Sequence, residues 1–495
     1  MTSRRDAVKL LGSAAILGPT IVKAAQAAAP QAAAPANAAA MSTGWRSFTS
    51  APDTPRFVPA ALAATGVAAQ PVETDTAVFI DTRQHDQTIF GFGGAITDAV
   101  AEVYASLQPQ AQRDFVAAYF DPRDGIGYTV VRTSIHSSDF GSDSYTYVAE
   151  NDRTLASFDI GHDRKLRIPL LRQLLAAGAA HGNPVHVFAT PWSAPSWMKS
   201  NGSMLGGGTL LPAYRDVWAS YIVKFVHAYE QAGVPIWGLT VQNEPMATQR
   251  WESMIFTADE ETRFLGDHLG PALKKAGLGS KKIMVWDHNR DLLPQRAGHL
   301  LAYAKARPYV WGVGYHWYET WTGGAPMHRN VAAVHAAYPQ VNLLMTEGCI
   351  EKFDAAKLQS WDNAERYARE MIGDLNAGAV GWVDWNMLLD SRGGPNHKNN
   401  LCFAPLHSNS QGELVFTPIY TALGHFSRFI RPGARRVGAA TSRSTLDATA
   451  FRNLDGTLAI VVMNRTATAQ NYTLQIDAKA TAVAIPPRGL QTIIA

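Results

Sequence analysis

The chain has 495 residues, 46% of them hydrophobic and 17% charged, with 40 Gly and 27 Pro. This is globular composition, which excludes a disordered or collagen-like chain, and 2 Cys exclude a disulfide framework or a four-cysteine zinc site. The net charge of +3 sits in residues 1–40, where Arg4, Arg5, Lys9 and Lys23 face one acid, Asp6; the neutral remainder has no basic stripe of the kind that binds nucleic acid.

In chain order, Ser3-Arg4-Arg5-Asp6 precedes Lys9 and the apolar run Leu10–Val22. The run is shorter than the roughly 20 residues a membrane span needs. A basic start, a short apolar run and an Ala-rich stretch predict an export signal, and the paired arginines favour the twin-arginine route of bacteria. Residues 1–40 are therefore read as signal plus Ala/Pro-rich linker. The mature protein is expected in the periplasm or outside the cell. No later stretch is apolar enough to be an integral membrane segment.

Val72–Thr82 reads as a strand, within a leading segment taken as 41–85. From 86 to 430 the chain alternates. Short apolar or β-branched runs fall at Ile89–Ile96, Tyr128–Ile135, Val185–Thr190 and Ile236–Gln242, then at Lys282–Asp287, Val310–Trp317, Val341–Thr346 and Ala379–Asn386. Continuous apolar runs are the mark of parallel strands buried on both faces. Between them lie helical periods near Thr97–Phe120, Asp163–His181, Ala213–Gln231, Ala258–Ala276 and Trp361–Ala377. In Ala213–Gln231 the residues Val217, Tyr221, Phe225 and Tyr229 recur every fourth position. The pattern predicts an α/β fold, a (β/α)8 TIM barrel. From 431 to 495 short alternating runs (Ala448–Arg452, Leu458–Asn464, Thr473–Ile476, Thr492–Ile494) predict an attached antiparallel β-sandwich, which Val72–Thr82 is expected to join.

In a TIM barrel, chemistry sits at the C-terminal strand ends. Here those ends read Asp98, Arg132, Trp192, Asn243-Glu244, His316, Glu347 and Trp385-Asn386. Glu244 closes the fourth strand and Glu347 the seventh, so the two carboxylates can face one another. Two carboxylates flanking a bond are what glycoside hydrolysis requires: one protonates the leaving oxygen and the other attacks the anomeric carbon. Asn243 suits a hydrogen bond to the sugar 2-hydroxyl. The sequence has no Gly-x-Ser-x-Gly elbow, no His-Glu-x-x-His, no phosphate loop and no dinucleotide fingerprint. Its 15 His form no ligand spacing. No metal and no organic cofactor is predicted, and Phe92-Gly93-Gly94 reads as tight packing before the first helix.

With these residues in place the sequence resembles glycoside hydrolase family 30, glucosylceramidase type. The matching runs are Gly91–Asp98, Pro191–Gly202, Asn243-Glu244-Pro245, His316-Trp317-Tyr318, Thr346–Cys349, Gly381–Asn386, Gly393–Asn400 and Leu423–Ile430. The resemblance covers residues 72–495 in order. It implies a barrel with a β-sandwich built from both ends of the mature chain, and retaining hydrolysis of a β-glucoside. Carried over, it makes Glu244 the acid/base and Glu347 the nucleophile, with Glu244 raised in pKa and Glu347 kept ionised by Arg132. Asp98, Trp192, Asn243, Trp385 and Asn400 match positions that hold the glucose ring. Arg132, His316 and Tyr318 match residues around the nucleophile and the pocket rim.

Met246–Phe256 and Ile350–Gln359 depart from the animal lysosomal pattern, on the side where the leaving group would lie. The resemblance therefore implies glucosylceramide as first substrate and β-1,6-glucan as the alternative, with xylan- or fucoside-type substrates ranked lower. Trp251 and Trp321 are the aromatics a glucan would use. A non-catalytic carbohydrate-binding protein is the rival from another class, and the presence of both carboxylates argues against it. Cys349 and Cys402 are expected to approach each other, with their pairing left open. No pattern in the sequence fixes an oligomeric state.

Overall fold

The computed structural model describes residues 44–63 and 71–495, with the side chains of Trp321 and Thr322 excepted. The export-signal segment lies outside the described residues. Among them, no helix is long and apolar enough to cross a membrane.

The predicted parallel strands close into an eight-stranded barrel: Gly91–Ile96, Val130–Ile135, His186–Pro191, Ile236–Thr240, Lys282–Asn289, Val310–His316, Asn342–Glu347 and Ala379–Asn386. The last strand pairs with the first, in register Gly381 with Gly91 and Val383 with Gly93. The glycines at this seam are steric requirements. A Cβ on Gly93 would lie 1.8 Å from the carbonyl oxygen of Val130, and one on Gly381 would lie 2.2 Å from that of Gly91. The Phe92-Gly93-Gly94 pair is thus a packing device, as its sequence context predicts.

The barrel interior is segregated. At its N-terminal end Phe90 and Trp237 stack at 4.4 Å, with Trp311 edge-on to Trp237 at 4.9 Å. Above this apolar plug Val130, Phe188, Met284 and Leu344 fill the middle. Arg132, Glu244, Asp287 and Glu347 gather at the C-terminal mouth, which is where a function can be housed without loosening the core.

The outer helices follow the sequence reading with two physical departures. Thr97–Phe120 is two helices, Asp98–Ser106 and Pro109–Phe120, because Pro109 has no N–H to extend the first and sits instead in the opening turn of the second. Ala258–Ala276 carries a wide π turn over Phe264–Leu269 just before Pro271, where the N–H of Gly270 reaches back to the carbonyl of Leu265. In Arg215–Gln231 the buried stripe is Trp218, Tyr221, Ile222, Phe225 and Tyr229, whereas Val217 is half-buried at its edge.

The second layer system is a nine-stranded sheet folded over its own core of Val78, Ile80, Ile460, Val462, Leu474 and Ile485, among others. Trp45–Ser50, Val58–Leu62 and Ala77–Thr88 join it from the N-terminal side and six strands from Arg435 onward complete it. It is not purely antiparallel: Gln470–Ile476 runs parallel to Ala77–Thr88. The direction of Ala77–Thr88 is fixed because it leads straight into the first barrel strand and pairs antiparallel with Arg435–Thr441, the strand that leaves the barrel region. Its other edge then accepts a parallel partner. Buried His425 ties the layers, with one ring nitrogen at 2.9 Å from Ser50 and the other at 2.9 Å from Thr492.

Candidate active site

The charged mouth is organised around Arg132, on the second barrel strand and fully buried. Its guanidinium donates to Glu347, to Asp287 at 3.0 Å, to the side-chain oxygen of Asn243 at 2.8 Å and to Thr190 at 3.3 Å. Its planar fork matches carboxylates in a way an ammonium does not. Trp192 and Trp385, stacked with centroids 5.3 Å apart, lie 4.9 and 5.4 Å from it. With its amide oxygen engaged, Asn243 presents its NH2 to the pocket, the polarity a sugar hydroxyl oxygen needs.

Glu347 ends the seventh strand and accepts from the Tyr318 hydroxyl at 3.0 Å as well as from Arg132. Glu244 follows the fourth strand with φ of 45°, a left-handed conformation unusual for glutamate, held by its N–H donating to the carbonyl of Asp287 at 3.0 Å. One carboxylate oxygen of Glu244, one of Glu347 and a ring nitrogen of His316 all lie within 4.8 Å of one another.

His316, fully buried, sits 3.0 Å from Asp287 through Nε2 and 3.3 Å from Glu244 through Nδ1. Burial lowers its pKa, but the Glu347 charge and the bonds to Asp287 and Glu244 outweigh it and push it up to about 9. Asp287, despite burial, is held well below the carboxylate range by Arg132 and His316. These neighbours also act on the Glu244 and Glu347 carboxylates. Burial raises Glu244, but the His316 imidazolium against it brings its pKa below the ordinary value. Burial raises Glu347 above its ordinary value, with Arg132 opposing. His316 thus carries a proton 3.3 Å from Glu244 in the resting site.

The pocket wall carries Trp192, Asn243, Glu244, Tyr318, Glu347, Trp385 and Asn400, together with Asp139, Phe140, Trp251, Glu351 and both cysteines. Arg132 and His316 stand behind it. Asp98 is not among these wall residues. It opens the helix Asp98–Ser106, where an acid is favoured, and its carboxylate is turned to the Tyr145 hydroxyl at 3.1 Å, with Arg167 at 3.8 Å. The aspartate on the wall is Asp139, which accepts from Asn396 and Asn400 at 3.0 Å each. Burial pushes it up to about 7, against the pull of those amides. Asp139 and Asp287 are the residues sequence reasoning missed. The signals were a polar Ser137-Ser138-Asp139 run after the second strand and the acid closing the fifth strand run.

Among the described residues, two groups gather metal-type donors within 4.8 Å, Asp98-His162-Asp163 and Glu244-His316-Glu347. In both, the carboxylates already face an arginine, histidine or tyrosine: Arg167 and Tyr145 in the first, Arg132, His316 and Tyr318 in the second. The second set matches the donor chemistry of paired-carboxylate hydrolysis.

Two family models match the chain in succession: the glycosyl hydrolase family 30 TIM-barrel domain over residues 89–430 and the family's beta sandwich domain over 433–493. The lysosomal acid glucosylceramidase of Mus musculus is 36% identical over 394 residues, 77% of this chain and 75% of its own. The endo-1,6-beta-D-glucanase neg1 of Aspergillus fumigatus is 28% identical over 409 residues, 77% of this chain and 79% of its own. Among solved structures, SrfJ from Salmonella typhimurium superposes with a TM-score of 0.84 at 31% identity, covering 91% of this chain and 99% of that one. The barrel, the sandwich and these matches lead to one assignment: the chain belongs to glycosyl hydrolase family 30 and is a glycoside hydrolase.

Proposed function

We propose that this hydrolase is an exported, retaining β-glucosidase of glucosylceramidase type. The observation that carries the retaining reading is the proximity of Glu244 and Glu347, whose oxygens approach within 4.8 Å. Retaining glycosidases hold their carboxyl groups about 5–5.5 Å apart, whereas inverting ones leave about 6.5–9.5 Å for a water.

In this mechanism Glu347 attacks the anomeric carbon, its oxygen forming a bond as the glycosidic C–O bond breaks. Glu244 delivers a proton to the departing oxygen, then takes one from the water that releases the sugar. Arg132 and Tyr318 keep the attacking carboxylate ionised and aimed. The acid proton is held by the Glu244–His316 pair. As the sugar displaces water, the Glu244 carboxylate loses solvation, and the proton crosses the 3.3 Å from Nδ1 to Oε1. Asp139, fixed by Asn396 and Asn400, accepts sugar hydroxyls and favours a terminal glucose.

Glucosylceramide is the first substrate, supported by the glucosylceramidase relatives. A β-1,6-glucan is the second reading, supported by Trp251 on the pocket wall and by the Aspergillus relative. The paired arginines near the N-terminus support export.

The test compares release of ceramide from glucosylceramide micelles with sugar release from a soluble β-1,6-glucan, using Glu244→Gln as control. Ceramide release without glucan cleavage supports the lipid reading, and the converse replaces it. Anomeric NMR of the first product on an aryl β-glucoside checks retention; an α-anomer as first product refutes it.

A further inference from the structure

The sequence has only 2 Cys, and the fold brings both to the wall of the sugar pocket. Cys349 lies just past Glu347 and Cys402 in the segment after the eighth strand. The two segments run antiparallel: Glu351 bridges to Cys402, and the N–H of Phe403 donates to the carbonyl of Ile350 at 2.9 Å. Both thiols are buried and free, and they interact with one another. Neither has a role in the hydrolytic steps above.

Register decides what such a pair can hold. Cys402 faces Glu351, two positions on from Cys349, so the cysteines are diagonal neighbours on one face. Diagonal neighbours in a regular ladder stand about 7–8 Å apart, wider than the roughly 4.4–6.8 Å Cα span of a disulfide, while the two thiols here are close enough to interact. A sulfur–cation–sulfur bridge spans instead about twice a metal–thiolate bond of ~2.3 Å, within reach of side-chain rotation alone. Paired soft sulfur donors select soft cations such as Cu(I).

We propose that Cys349 and Cys402 form a two-thiolate site for one soft monovalent d10 cation, Cu(I) or Ag(I), in the pocket wall, and that its occupation stops hydrolysis. Binding releases two thiol protons and leaves a bis-thiolate complex of charge −1. The Tyr318 hydroxyl, now 3.0 Å from Glu347 and 3.4 Å from the Cys349 sulfur, is then drawn to the thiolate and away from Glu347. The cation also occupies space the sugar ring needs.

The experiment uses Ag(I) as probe, with bound metal counted after equilibrium dialysis and free thiols counted in denaturant. One Ag(I) per chain with both thiols protected is expected, and its loss in Cys349→Ser and in Cys402→Ser. Thiol protection in the unmodified protein keeps the test decisive if a serine variant fails to fold. Hydrolysis of an aryl β-glucoside should fall at least tenfold at one equivalent and return with excess dithiothreitol. Two equivalents per chain, no binding, or retention in a single variant overturns the site. So does a Cys349–Cys402 disulfide formed on exposure to oxidised glutathione. Full activity with the site occupied overturns the inhibitory half. The stoichiometry is read without turnover, so it stands or falls apart from the proposed substrate.

Discussion

Arg132→Met removes the guanidinium that bridges the buried carboxylates of Asp287 and Glu347. Asp287 has a fully buried side chain and that of Glu347 is only 8% exposed, so neither regains solvent when the guanidinium is lost. Breaking a buried pair by deleting one partner costs about 3–5 kcal/mol, which calorimetry should read as a lowered unfolding temperature. The chemical consequence is separable. An arginine beside a carboxylate lowers its pKa by about 1–3 units, and in Glu347 this pull opposes the rise due to burial. Without it, Glu347 takes up its proton at higher pH. The acid limb of kcat/KM on an aryl β-glucoside should therefore move upward by about 1–3 pH units, each unit being tenfold in rate on that limb. Arg132→Lys keeps the charge and should leave the limb nearer its original place. It should still lose activity, because an ammonium cannot hold Glu347, Asp287 and Asn243 at once. An acid limb that stays put in Arg132→Met, with a rate loss equal at every pH, would falsify the role given to this arginine.

Four further outcomes are expected. Asp139→Ala should lower kcat/KM by at least ~100-fold, the loss of charge-assisted bonds worth about 1.5–3 kcal/mol each, while Asp98→Asn should change KM less than about threefold; the opposite ranking restores Asp98 as the sugar ligand. Since burial pushes Asp139 up to about 7, KM in the native enzyme should rise as pH falls below that value. Burial lowers His136 and His407 to about 4 and His425 to about 3. The unfolded chain binds these protons first, near pH 6.5, so the stability they lend is present above that pH and lost as pH falls toward 4 and below. Each can contribute up to roughly 3 kcal/mol, and an unfolding temperature flat between pH 7 and 4 contradicts the reasoning. Finally, Gly93→Ala sets a Cβ 1.8 Å from the Val130 carbonyl and should yield no soluble folded enzyme; a variant of native stability would mean the barrel seam can open.

Periodicity alone determined the barrel. Strands such as Ala379–Asn386 and helices such as Arg215–Gln231 bury their apolar side chains within a few residues of one another in sequence, so their spacing records their structure. The strand ends could likewise be read, because each ends where an apolar run meets polar residues; that placed Glu244, Glu347 and His316 at the barrel mouth, while Arg132 stood out as a charge inside an apolar strand run. The sequence did not determine which acid reaches the pocket. Asp98 and Asp139 both follow barrel strands. Tertiary contacts turned the first toward Tyr145 and Arg167 and the second toward Asn396 and Asn400, more than 250 residues away in sequence. Nor could the sequence assign the resting proton. That depends on His316 lying between Asp287 and Glu244, three groups from three different βα units, and the energy of buried charges is set by distances of a few ångströms that only the folded chain fixes.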